Sequence, residues 1–197
     1  MEQEHQSKKR SYALPITLLL LVFSLTGNVF LYSQSLQGEQ NDKYDKGIAI
    51  IGSATKASAY YQAVLDNAGA LLDGKDTEAG TVIRNASGLV EFLQQSHSFD
   101  ESKFDSDQVY DYIIDVNNSL QYINEQDGTL TEAEASYLKS LKDVYASQLA
   151  VLDQFQFEAA KSRSGSIQIG AGIGWLDIPK QLEQSISGHS SMKYPAQ

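Results

Sequence analysis

The side chains best equipped for chemistry in this chain are carboxylates. Asp100, Glu101, Asp105, Asp107, Asp111 and Asp115 lie in one short stretch, and Asp107, Asp111 and Asp115 recur every fourth residue, the spacing of a ridge on one helix face. Such a ridge attracts divalent cations weakly. More commonly it is the solvated face opposite a core stripe, here Val109, Ile113 and Val116, and that is the expectation. His97 and His189 lack the H-x-x-x-H spacing that places two imidazoles on one metal. The chain has no cysteine, which removes thiol nucleophiles, disulfides and thiolate metal sites together. It contains no G-x-S-x-G, S-x-x-K or H-E-x-x-H motif. The sequence therefore nominates no catalytic residue, no metal ligand and no cofactor site, and the expectation is a non-enzymatic protein.

Two motifs bear on that expectation. The run from Ile123 to Glu134, INEQDGTLTEAE, resembles the second half of an EF-hand calcium loop, with Asp127, Gly128, Leu130 and Glu134 at the fifth, sixth, eighth and twelfth positions. It departs from that pattern at the first ligand position, which is Ile123, and at the third, where Glu125 replaces aspartate. A tight turn followed by a capping box from Thr131 to Glu134 explains the same residues without a metal, and is the expected arrangement. The second motif, Gly170-Ala171-Gly172-Ile173-Gly174, has G-x-G-x-G spacing. A dinucleotide loop requires G-x-G-x-x-G between a strand and a helix. A flexible linker or a close backbone approach is expected instead, with Ile167, Ile169, Ile173, Trp175 and Leu176 folding back onto the bundle, a partner or the membrane surface.

Residues 11–38 carry no charge, and twelve strongly apolar side chains lie between Leu14 and Leu31. At roughly 0.3–0.6 kcal/mol each they favour insertion into a bilayer by about 4–7 kcal/mol, which should outweigh Thr17, Ser24, Thr26, Gly27 and Asn28. The spacing predicts a membrane-spanning helix over residues 12–32, contacting lipid, with Pro15 harmless in the first turn and Tyr12 and Tyr32 at the interfaces. Lys8, Lys9 and Arg10 precede the span, and mixed charges follow it. The positive-inside rule then keeps residues 1–11 in the cytoplasm as a short basic tail and sends the remainder across. The rival expectation is a cleaved secretory signal ending at Ser33-Gln34-Ser35, although the apolar core exceeds the usual signal length. Thr17, Ser24 and Asn28 align on one face with Gly27 beside them, a pattern that supports helix–helix contact in lipid.

Beyond the span, residues 36–161 read as an antiparallel four-helix bundle in an all-α, extracytoplasmic domain. The first helix presents Tyr44, Ile48, Ile51, Thr55, Ser58, Gln62, Leu65, Gly69 and Leu72, and nothing but Gly38 separates it from the span. The second starts at Asp76 or Thr77 and turns Ala79, Val82, Ile83, Ala86, Leu89, Val90 and Leu93 inward. The third carries Val109, Ile113, Val116, Leu120 and Ile123. The fourth carries Leu138, Leu141, Tyr145, Leu149, Leu152 and Phe155 and is expected to run to about Lys161. Residues 162–197 read as a Gly/Ser-rich tail with a short helix from Asp177 to Ser187 and a frayed end.

The whole chain has a net charge of -10, and the basic tail leaves the exterior more negative still. That balance excludes a surface built for nucleic-acid phosphates. A single-pass protein acting through protein or cell-envelope contacts, with a protein partner or a second copy, is the leading expectation. The alternative is a ligand-sensing domain, since the layout resembles the extracytoplasmic bundles of chemoreceptors and sensor kinases in architecture. No second span returns the chain inward, so sensing would require a membrane partner.

Overall fold

The computed structural model describes residues 13–75, 80–100, 102–126, 129–190 and 192–194. Among these the regular structure is helical throughout, with no strand: α1 (Ala13–Leu72), α2 (Gly80–His97), α3 (Ser106–Asn124), α4 (Glu132–Leu152), α5 (Arg163–Gly170) and α6 (Asp177–Gly188), with a 3-10 turn at Ala159–Lys161. The basic tail, Tyr12, the Asp76–Thr77 helix start and the Asp127-Gly128 loop centre lie outside the described residues, as do residues 195–197. Two compact units part between Asn41 and Asp42.

The first unit is the N-terminal part of α1. It is one helix, long and apolar enough to cross a membrane, and none of its apolar stretch is buried. Its large apolar side chains from Leu14 to Tyr32 are 53–78% exposed. Thr26 Oγ1 donates to the Val22 carbonyl at 2.8 Å, so this hydroxyl is satisfied within the helix. The helix continues through Gly38 without a break.

The second unit has one hydrophobic core fed by α1 to α6. On α1 the buried face is Ile50, Ala54, Ala57, Tyr61, Val64, Ala68 and Leu71, with Tyr60 beside it. This corrects the expected stripe by one residue, about 100° of rotation. Ile48 is 45% exposed, and Thr55 and Gln62 face out. The expected stripe has the right spacing but mixes Ile48, Ile51 and Leu65 with polar Thr55, Ser58 and Gln62, whereas the interface uses small residues that let helices approach, with tyrosines filling the space between. Gly88 of α2 serves the same approach, because a Cβ there would overlap Lys56 of α1.

Helices α3 and α4 match their expected inward residues, except that Leu149 is only half-buried. Asp105 caps α3 by accepting from the Gln108 N–H at 3.2 Å. α4 stops at Leu152 rather than near Lys161. The reason lies in Phe155 and Phe157, whose rings meet edge-on at 4.9 Å. Residues two apart point to opposite sides of a helix, so this contact requires the chain to leave it. Helix α6 packs on α2, α3 and α4, with Leu182 and Ile186 fully buried.

Candidate functional site

On α3 the acidic ridge is placed as its spacing requires. Asp107 and Asp111 are exposed, and Asp115 pairs with Lys193 at 3.5 Å. Among the described residues no group of three His, Cys, Asp or Glu side chains is arranged to hold a metal. In the loop that resembles half an EF-hand, Glu134 is committed elsewhere. Its Oε2 accepts from Thr131 N and Oγ1 at 2.8 Å each, and its N–H donates to Thr131 Oγ1 at 3.2 Å. That is the capping box, and the carboxylate is nearly buried in it. Beside it, a hollow of about 500 Å³ is lined by Leu71, Leu72, Ile123, Leu130 and Glu134, among others.

The glycine motif has a backbone explanation. Gly172 and Gly174 sit at φ +81° and +83°, in the left-handed region that side chains disfavour. Gly170 makes a close helix crossing with Gly47 of α1. A Cβ on Gly170 would overlap the Lys43 carbonyl oxygen, and one on Gly47 would overlap that of Ser166. Of the two expected outcomes, a linker or a close approach, the close approach is the one observed. Trp175 locks the turn by donating its indole N–H to the Ile169 carbonyl at 2.9 Å while its ring meets Phe92, Phe99 and Phe155. Arg163 lies over the Tyr44 ring and Lys46 over Phe99, fastening the same corner. Substituting Gly170 by valine should separate α5 from α1 at a cost of about 1–3 kcal/mol or more, because the clash is with backbone rather than a movable side chain. Urea unfolding of the variant would register it as a lower midpoint and an earlier exposure of Trp175 fluorescence.

Sequence reasoning gave His97 no role, because its partners lie far along the chain or in an irregular segment. Its Nε2 lies 2.7 Å from Glu183 Oε1 on α6, and its Nδ1 2.5 Å from Ser102 Oγ. Ser102 Oγ in turn donates to Asp100, which also accepts the Ser102 N–H and faces Lys180 at 3.8 Å. These serine hydrogen bonds, with Lys180 adding to them, hold the exposed Asp100 carboxyl below its ordinary pKa. A serine, histidine and carboxylate in series invite comparison with a nucleophilic triad. The Ser102 hydroxyl is also bonded to Asp100, so it is not held for His97 alone, and the Glu183 carboxylate, an acceptor only, takes its hydrogen bond from the Nε2 side of the ring. The group acts as a clasp that fixes the segment after α2 against α6, with Phe104 packed on the imidazole at 5.2 Å. His97→Ala should cost about 1–3 kcal/mol, the usual worth of a charge-assisted hydrogen bond. Amide exchange should then rise in residues 98–105 and in α6 before it rises in α4.

A further feature is a buried tyrosine cluster, of which Tyr145 lies on an expected core stripe. Tyr60, Tyr61, Tyr112 and Tyr145 come from α1, α3 and α4, with ring centroids 5.5–6.0 Å apart and Tyr112 stacked on Tyr145. The Tyr60 and Tyr145 hydroxyls share a hydrogen bond of 2.8 Å, and Tyr112 donates to Gln148 Oε1 at 3.3 Å. Gln148 passes its own amide N–H to Ser185 on α6 at 3.1 Å. Burial pushes all four phenols up, Tyr112 to about 12. The arrangement is structural: it welds three helices and a fourth through one polar thread inside an aromatic core.

In the first unit, Thr17, Ser24, Gly27 and Asn28 are exposed on α1, and a Cβ on Gly27 would meet open space. No family model, no curated protein and no solved structure matches the chain.

Proposed function

We propose that this chain is a single-pass membrane protein, anchored by residues 12–32 with its N-terminus in the cytoplasm, that presents an extracytoplasmic helical bundle and works through protein or envelope contacts rather than catalysis. The observation that carries this reading is the uncovered apolar stretch from Leu14 to Tyr32. Its size exceeds the exposed patch a water-soluble monomer tolerates, and lipid is the surrounding that removes the penalty. Lys8, Lys9 and Arg10 immediately before the span, with the first basic residues after it only at Lys43 and Lys46, support the orientation. Thr17, Ser24, Gly27 and Asn28 supply a face for pairing with another span or a second copy, and Asn28→Leu is expected to weaken association of the span in a membrane reporter.

Photo-crosslinking in intact membranes tests the contact role. The supporting result is a discrete protein adduct formed from the exterior at native abundance. Protection of the whole chain from externally added protease would overturn the orientation. A second reading, ligand sensing through a membrane partner, draws on the hollow of about 500 Å³ near Glu134. Calorimetry against calcium and small metabolites separates it from the contact reading.

A further inference from the structure

Among the described residues after Asn41, five large apolar side chains are strongly exposed: Ile48, Tyr110, Ile114, Tyr122 and Ile173. Three of the five belong to α3. Tyr110, Ile114 and Tyr122 fall on one i+4 row with Asn118, and Asp107, Asp111 and Asp115 form the adjacent row, each acid three residues before its neighbour. Rows at i+4 are the ridges that helices use to interlock. One exposed helix face therefore carries an apolar ridge and an anionic ridge side by side, with a groove of about 540 Å³ running along Asp107, Asp111, Ile114 and Asp115.

The chain itself shows what fits there. At the far end of the face, Lys193 pairs with Asp115 at 3.5 Å, and the Tyr194 N–H donates to Ser119 Oγ at 2.8 Å. The Tyr194 ring lies against Tyr122 at 6.1 Å and Tyr137 at 5.4 Å. A lysine followed by an aromatic thus pairs with the last acid and flanks the last apolar residue of the two ridges. The first part of the face repeats the same chemistry at Asp107, Tyr110, Asp111 and Ile114, and among the described residues no cation pairs with either acid.

We propose that the Asp107–Ile114 part of α3 docks a cationic, apolar-studded segment of a partner protein, one whose lysines or arginines meet the acid ridge while its apolar side chains cover Tyr110 and Ile114. Charge complementarity selects the partner's sign, and the apolar ridge makes the site more than a diffuse anionic surface. This deepens the contact reading above and rests on it.

The test uses the full chain in phosphatidylcholine nanodiscs, which hold little charge of their own to attract the probe. The probe is a labelled helical peptide with lysine and leucine on adjacent i+4 rows, followed by fluorescence anisotropy. Substituting Asp107→Lys with Asp111→Lys should weaken binding at least tenfold, and Tyr110→Ser with Ile114→Ser by a similar factor. Asp143→Lys with Asp153→Lys changes net charge equally at exposed positions of α4 and its cap, and should stay within twofold. Circular dichroism checks that each variant folds. Equal weakening by the control pair, equal binding of oligolysine, or no binding of the peptide would each overturn the proposal. Any of those results leaves the contact reading intact, because that is decided separately by crosslinks formed in native membranes.

Discussion

Replacing Leu20 and Leu21 with arginine is expected to abolish membrane retention. Each arginine near the centre of a span costs about 2.5–3.5 kcal/mol, and each lost leucine forfeits roughly 0.3–0.6 kcal/mol, so the pair costs about 6–8 kcal/mol. That equals or exceeds the roughly 4–7 kcal/mol by which the apolar side chains favour insertion. No rescue by burial within α1 is available, since none of the apolar stretch is buried. The measurement is sedimentation of urea-washed membranes. Unaltered protein should remain in the pellet at full mass, the arginine pair should move to the supernatant or aggregate, and Leu20→Ala with Leu21→Ala should stay in the pellet. Recovery of the unaltered chain in the supernatant would sink the anchor, and recovery at a mass that begins near Leu36 would turn it into a cleaved signal.

What could be read in advance from this chain divides by how local the cause is. The capping box needed only Thr131 and Glu134, and it is present with both reciprocal hydrogen bonds. The core stripes of α3 and α4 followed from aliphatic residues at regular spacing, and Val109, Ile113, Val116, Leu138 and Leu141 are buried accordingly. The stripe on α1 lies one residue away because its interface runs on Ala54, Ala57, Ala68 and two tyrosines, and two neighbouring stripes of α1 share the same 4/3 spacing, one through Ile48, Ile51 and Leu65 and one through Ile50 and Val64. Small residues signal packing only when the opposing helix is known. Gly170 shows the same limit. Its spacing excluded a dinucleotide loop, yet its reason for being glycine is the carbonyl of Lys43, more than a hundred residues away in sequence. The His97 clasp and the tyrosine cluster join residues separated by 86 and 85 positions respectively, and no pattern along the chain encodes such pairs.

Alkaline pH should unfold the second unit through that cluster. In an unfolded chain a tyrosine ionises near pH 10. In the folded protein burial raises Tyr60, Tyr61 and Tyr145 above that value and Tyr112 to about 12. The folded state therefore holds protons that the unfolded state releases. The associated stability is fully present below pH 10 and is lost as pH rises from 10 through 12 and beyond. Each withheld ionisation removes about 1.4 kcal/mol per pH unit, so four together remove roughly 5 kcal/mol per unit once all are affected. Loss of helicity should coincide with the last part of the phenolate absorbance, that of the buried cluster, later than free tyrosine titrates. Ionisation of all eleven tyrosines near pH 10 with helicity intact would contradict the burial. Two substitutions divide the cluster further. Tyr60→Phe strips the Tyr145 hydroxyl of its partner and should cost about 1–3 kcal/mol. Tyr61 is fully buried, and its hydroxyl has no hydrogen-bond partner among the described residues. Tyr61→Phe deletes a group whose desolvation nothing offsets, and should stabilise the fold by about 1 kcal/mol, moving the alkaline transition upward while Tyr60→Phe moves it down.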